Sequence, residues 1–190
     1  MKPLEIHPLT ADRWQDFEQL FGPSGACAGC WCMYWKRRGK EFQAGKGEAN
    51  RLAQYEIVSG GQVPGLLAYV EGTPAGWAAV EPRDHYPVLN NSRILAPLDD
   101  QAVWSVTCFF IARGYRGQGL TVALLRAAVE YVAGQGGKVV EGYPTEPRAG
   151  ARAAPAFVYT GLASAFLEAG FIESGRRSPT RPIMRYIIEE

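Results

Sequence analysis

Two short stretches carry residue types that can do chemistry. Residues 27–35 read CAGCWCMYW, placing three of the chain's four cysteines within six positions, among two tryptophans and a tyrosine. Thiolates at that spacing offer soft ligands to zinc, and Cys27-x-x-Cys30 has the spacing of a redox pair. Aromatic rings with small sulfur fillers also suit the wall of a pocket. Residues 116–119 read RGQG. Glycines where a strand turns into a helix let the main chain approach a ligand, and the free N–H groups of the first helical turn bind phosphate there.

Two phosphate motifs can be set against the second stretch. Gly114 to Thr121 has the spacing of a nucleotide-binding P-loop, but Leu120 stands where a lysine must reach the terminal phosphates. The dinucleotide fingerprint fails too: Gly117-Gln-Gly119-Leu-Thr-Val122 lacks the third glycine, and no acidic residue follows at the required distance.

Periodicity supplies the elements that must position these residues. TADRWQDFEQLF puts Trp14, Phe17 and Phe21 on one helical face behind Thr10 as N-cap, and Gly22-Pro23 ends it. KRRGKEFQAGKGE reads as a loop, and EANRLAQYEIVSGG as a second helix, so two helices flank the cysteine stretch. Apolar runs 65–71 and 75–81 around Gly72 and Pro74 read as a hairpin, and residues 83–100 as a long surface loop. AVWSVTCFFIA is a buried strand. It feeds RGYRGQGL and a helix with Leu120, Leu124, Ala128 and Val132 recurring every four residues. KVVEGYP is a strand, YTGLASAFLEAG a last helix, and FIESGRR with RPIMRYIIEE a closing strand pair. The order predicts an α/β layer fold whose strand–loop–helix unit carries the glycines.

Composition narrows the function. The chain has 190 residues, 47% hydrophobic and 21% charged, which suits one domain over 1–190. Twenty basic against 19 acidic residues give no field that selects nucleic acid or an anionic membrane. The amino terminus has no apolar signal region, and no stretch reaches the roughly 18 apolar residues of a spanning helix. The expectation is a cytoplasmic protein, without nucleic-acid or membrane partners, in which a disulfide framework is disfavoured.

FFIARGYRGQGLTVALLRAAVEYV resembles the acyl-CoA signature of the GNAT superfamily of N-acetyltransferases: Arg or Gln, two residues, Gly, one residue, Gly or Ala. Arg116, Gly119 and Thr121 occupy those places, Thr121 being a departure. The context agrees, from the strand before it to a helix ending in Ala169-Gly170-Phe171, which resembles the family's late Gly-Phe turn. The sequence is also similar to a bacterial subgroup with CWCMYW-like, EGYP and RPIMR-like stretches. The resemblance implies the GNAT acyl-CoA N-acyltransferase fold, a mixed central β-sheet flanked by helices. It implies acetyl-CoA as co-substrate, no metal, and direct transfer to a primary amine of a small molecule or peptide. A homodimer is compatible with it.

Site residues follow from the resemblance. Phe109, Phe110 and Ile111 would pair with the pantetheine arm, a main-chain N–H near Ile111 serving the thioester carbonyl. Arg116, Gly117, Gln118, Gly119, Leu120 and Thr121 would hold the pyrophosphate. A tyrosine that often donates a proton to the leaving thiolate is Phe166 here, so Tyr159 takes that role, with Tyr143 behind it. Glu141 is the candidate base and Glu81 its alternative. Trp31, Tyr34 and Trp35 would line the acceptor site, because the connection between the first two helices covers that end of the cofactor tunnel, and His85, in the long loop, would bind or deprotonate an acceptor. Arg176, Arg177, Arg181 and Arg185 form a basic cluster that suits either an acidic acceptor or a solvated hairpin surface. Two alternatives stay open: a non-catalytic acyl-CoA sensor, motivated by Phe166, and a zinc-dependent interaction domain, which would need a fourth ligand beyond Cys27, Cys30 and Cys32.

Overall fold

The computed structural model describes residues 3–147 and 158–189. Its strands are β1 (Leu4–Pro8), β2 (Gly65–Val70), β3 (Thr73–Pro82), β4 (Trp104–Ile111), β5 (Val139–Gly142), β6 (Ile172–Arg176) and β7 (Pro182–Ile187). They form one mixed sheet in the order β1-β2-β3-β4-β5-β7-β6. Neighbours are antiparallel except β4 and β5, which run parallel. The helices are α1 (Trp14–Phe21), α2 (Gly39–Gly45), α3 (Glu48–Ser59), α4 (Pro87–Asn90), α5 (Leu120–Gly134) and α6 (Ala163–Glu168).

The two faces of the sheet are covered by different parts of the chain. On one, Leu124, Leu125, Ala128 and Val132 of α5, with Phe166 of α6, pack on Ala78, Val80, Val106 and Val140. On the other, Trp14, Phe17 and Phe21 of α1 pack on Leu67, Trp77 and Ala79. Cover on both sides explains why every residue of β2 is buried and why the strand reads as an unbroken apolar run.

Five local expectations change. LEIHP is an edge strand, β1, too short and too mixed to stand out by pattern. GKEFQAG is helical rather than a loop, because Phe42 buries against Met33 and Ala53 and outweighs two glycines. The last helix begins only at Ala163, so Tyr159 lies before it in a turn closed by Gly161 N–H on the Val158 carbonyl. Residues 83–100 are not a surface loop: Tyr86, Leu89 and Leu95 are fully or almost fully buried. At about 1.5–3 kcal/mol for burying each such side chain, they offset the ordering of that segment. Thr10 precedes a 3-10 turn rather than capping α1, and its hydroxyl donates to the Asp12 carboxylate at 2.5 Å.

Candidate active site

The parallel pair β4–β5 sets the site. It is paired only from Trp104 to Val106, opposite Val140 to Gly142, and β4 then continues alone to Ile111. The strands part there, leaving main-chain groups of β4 on an open edge. Ala112 N–H donates back to Ala75 on the β3 side, so by strand alternation the Phe109 and Ile111 amides face the opening. Phe109 N–H donates to the Tyr159 carbonyl at 2.6 Å, whereas the Ile111 carbonyl accepts from Arg116 Nε at 3.0 Å. Opposite β3, β4 carries one extra residue at Thr107: Ala79 pairs with Cys108 but Val80 with Val106. Such a bulge re-aims the strand beside the opening.

Directly after β4, the RGQG loop opens α5. Gly119 has φ 79°, a left-handed conformation that favours glycine, and a Cβ added there would meet nothing within 4 Å. The amides of Gln118, Gly119, Leu120, Thr121 and Val122 make no backbone hydrogen bond among the described residues. They are a ready anion cradle. The side chains of the loop mostly brace it: Arg116 bonds Ile111, Gln118 Nε2 donates to the Gly114 carbonyl at 2.9 Å, and Leu120 is buried against Val70 and Ala75. Phe109 and Phe110 pack their rings on opposite faces, and of the two only the Phe109 main chain lies on the opening, because Phe110 pairs with Trp77 of β3.

The face bearing α1 gathers the other candidates, but not into one wall. Trp31 stacks on Phe21 at 5.6 Å and is 5% exposed, a core position under α1. Tyr34 and Trp35 point elsewhere: Tyr34 lies 4.9 Å from the Trp35 ring and 5.9 Å from that of Tyr159. Burial, with Tyr34 nearby, holds the Tyr159 hydroxyl above the ordinary tyrosine range, so it keeps its proton. Trp35 Nε1 is buried without a partner.

The glutamates differ. Glu141 is 1% exposed: Oε1 accepts from Arg83 Nη1 at 3.0 Å and Tyr143 Oη at 2.7 Å, and Oε2 from Arg185 Nε at 2.7 Å. Those oxygens are fully engaged in a brace between β3, β5 and β7. Tyr143 is locked with them, its hydroxyl also meeting Ser105 at 2.8 Å, and burial raises it above the ordinary range. Glu81, 2% exposed, faces Lys36 in an ion pair, and its Oε1 lies 3.1 Å from His85 Nδ1. His85 is 40% exposed and lines a groove of about 380 Å³ with Met33, Lys36, Arg37 and Ile57. Tyr86 is fully buried beside Glu81 and Thr107, its hydroxyl without a hydrogen bond of good geometry to either. Sequence reasoning missed Lys36, Tyr86 and Thr107; the only signal was an acidic residue, Glu81, one position before the end of β3, with Tyr86 five positions on.

The cysteine stretch folds as a strained turn. Ala26, Ala28, Trp31 and Cys32 all have positive φ, a conformation held by the packing around it. Trp77 Nε1 donates to Cys32 Sγ at 3.0 Å. Cys30 is pushed up to about 11, by burial first and then by Cys32, while Cys27 is exposed. Among the described residues no group of three or more His, Cys, Asp or Glu is arranged around a common metal position.

The arginine cluster also divides. Arg176 pairs with Glu173 and Glu146, Arg177 donates to the Ala96 and Pro97 carbonyls, and Arg185 pairs with Asp99 and Glu141. Arg177 and Arg181 have no acidic partner among the described residues, and of the two only Arg181 is half-buried. Phe166 is fully buried between Phe109 and Phe171, beneath Gly142, where no hydroxyl would find water.

The profile of the acetyltransferase (GNAT) family matches residues 27–154. No curated protein matches the sequence significantly. Among solved structures, a GNAT-family acetyltransferase from Listeria monocytogenes superposes with TM-score 0.59 at 11% identity, covering 97% of this chain and 95% of that one. YncA from Salmonella typhimurium, solved with its cofactor acetyl-CoA, gives 0.55 at 14% over 98% and 95%. The PaiA N-acetyltransferase from Thermoplasma acidophilum, in complex with coenzyme A, gives 0.54 at 14% over 98% and 99%.

Proposed function

The chain belongs to the acetyltransferase (GNAT) family, and on that premise we propose that it moves an acetyl group from acetyl-CoA directly to a primary amine of a small molecule or peptide. The observation that carries this reading is the continuity of the open edge of β4 with the bare amides of Gln118 to Val122. An extended arm ending in a pyrophosphate fits that run: strand-like pairing along β4 and anion binding at the α5 terminus. Acetyl-CoA supplies an activated thioester when bound. The residues would do the rest.

The Ile111 amide, on the open edge, is placed to donate to a thioester carbonyl, a preorganised dipole that costs no rearrangement. Glu81 is the better candidate base than Glu141, because Glu141's oxygens are held by three donors whereas Glu81 leads outward through His85. Glu81 would accept the amine proton and His85 pass it to the groove. Tyr159 keeps its proton and its own carbonyl is bonded to β4, so it is placed to protonate the leaving thiolate. Tyr34 and Trp35 would flank the acceptor.

A release assay for free thiol, run with acetyl-CoA and an amine panel, tests the proposal, alongside calorimetry with acetyl-CoA. Transfer to at least one amine is expected. No acetyl-CoA binding would overturn it. Phe166 favours one second reading, a non-catalytic acyl-CoA sensor. Tight binding with no transfer to any amine, and no effect of Glu81→Gln, would establish that reading instead.

A further inference from the structure

The acceptor face balances its buried charges with one exception. Glu141 and Asp99 are matched by Arg83 and Arg185, and Glu81 by Lys36. Arg181, in the turn between β6 and β7, is half-buried with no carboxylate beside it among the described residues. Its Nη1 donates to Thr145 Oγ1 at 3.1 Å and to Thr160 Oγ1 at 3.2 Å. Nε is fully buried and bonds nothing, and Nη2 has no hydrogen-bond partner among the described residues. The two threonines thus fix the guanidinium by one nitrogen. They leave Nη2 unused, and since Nε has no accessible surface, Nη2 is the N–H group that a carboxylate oxygen can reach.

Arg181 also sits where an acceptor would lie. Tyr159 and Tyr34 are its electrostatic neighbours, their rings 5.9 Å apart, and the Tyr159 carbonyl is bonded to Phe109 on the open edge of β4. The Tyr159 hydroxyl cannot be its counter-ion at neutral pH, because burial holds it protonated. A buried cation without a partner is costly unless a ligand completes it. One unmatched positive charge calls for one negative charge, a carboxylate rather than a doubly charged phosphate.

We infer that Arg181 is the specificity residue of the acceptor site and that the acceptor is an amine that also bears a carboxylate, in the manner of an amino acid. The inference rests on the proposed acetyl transfer. The carboxylate seats against Nη2, beside Tyr34 and Tyr159, and the amine is left for the thioester. Amide or decarboxylated analogues leave that charge unmet.

The experiment compares each of the twenty amino acids with its carboxamide and its decarboxylated amine, in thiol release from acetyl-CoA by the wild-type chain and by Arg181→Met. Carboxylate-bearing amines are expected to be preferred over their amides and decarboxylated forms by about 30-fold or more in kcat/KM, the range of a charge-assisted hydrogen bond. In Arg181→Met, KM for the acid rises by about the same factor, the acid-to-amide ratio falls to about 1, and acetyl-CoA affinity is unchanged. The thermal midpoint does not fall, since an unpaired buried charge has been removed. Equal use of acids and amides by the wild type overturns the inference. So does a lowered midpoint with acid and amide activity lost alike, which makes Arg181 a strut for Thr145 and Thr160. Loss of acetyl-CoA affinity in the variant assigns Arg181 to the cofactor instead and overturns it too. Intact acetyl-CoA binding with no acid turned over removes the subsite but leaves the acyl-CoA site standing, whereas absent acetyl-CoA binding removes the proposed function itself.

Discussion

The two halves of the cleft are built from different materials. On the side of the open β4 edge and the RGQG loop, the groups on offer are main-chain amides from one continuous stretch, 109–122, whose side chains are turned into the core or into bracing. On the opposite side the groups are side chains from five separate parts of the chain: Tyr34, Glu81, His85, Tyr159 and Arg181. Main chain recognises what is common to every acyl-CoA; side chains select what differs between acceptors. A ligand invariant in its chemistry can be held by geometry alone, and a selected one cannot.

Substitutions can break that division or sharpen it. The largest effect is expected for Trp31→Ala, which empties a site packed on Phe17 and Phe21 and should cost about 3–5 kcal/mol of stability in denaturant unfolding. Its neighbour Tyr34, 42% exposed, should behave oppositely: Tyr34→Ala leaves stability intact and raises the amine KM. Raised amine KM in a fully stable Trp31→Ala protein would move the boundary between core and site. Next, Glu81→Gln should lower kcat about 100-fold with acetyl-CoA affinity unchanged, the size usual for loss of a proton acceptor. A normal kcat would return the role to another group.

Gly119→Val forces a branched side chain into φ 79° and should weaken acetyl-CoA binding by about tenfold or more in calorimetry, with amine KM unaffected. A loss shared equally between the two substrates would show that the halves are not independent. The smallest effect concerns Cys30. Its folded value is raised from an ordinary 9.0 to about 11, so it favours the protonated fold; that contribution is complete below pH 9 and lost as pH rises from about 9 to about 11. A urea midpoint that drops over that window in the native chain, and drops less in Cys30→Ala, would confirm it.

The same division explains what was legible in the sequence. The cofactor half could be read because a buried strand, a glycine turn and an amphipathic helix are contiguous, and each leaves a periodic or compositional mark. Thr121, the departure from the signature, matters little there, because any residue at that place contributes the same free main-chain amide. The acceptor half could not be read that way. Glu141 and Glu81 look alike in sequence, each acidic in an apolar strand, and only tertiary contacts show that one is clamped by Arg83, Arg185 and Tyr143 while the other opens onto His85. The four late arginines look equally alike; three have found anions or carbonyls, and Arg181 has not. β1 and α2 were hidden for a related reason: each is stabilised by what it docks on rather than by its own pattern.

The brace of Arg83, Glu141 and Arg185 has one more consequence. It ties the end of β3 to β5 and β7 just below the point where β4 and β5 separate, and so fixes how wide the sheet opens. Counter-ions screen exposed pairs such as Arg176–Glu173 within about 8 Å at physiological ionic strength but reach a group 1% exposed far less. The width of the cleft is thereby insulated from the salt content of the surrounding medium, even while charges at its rim respond to it.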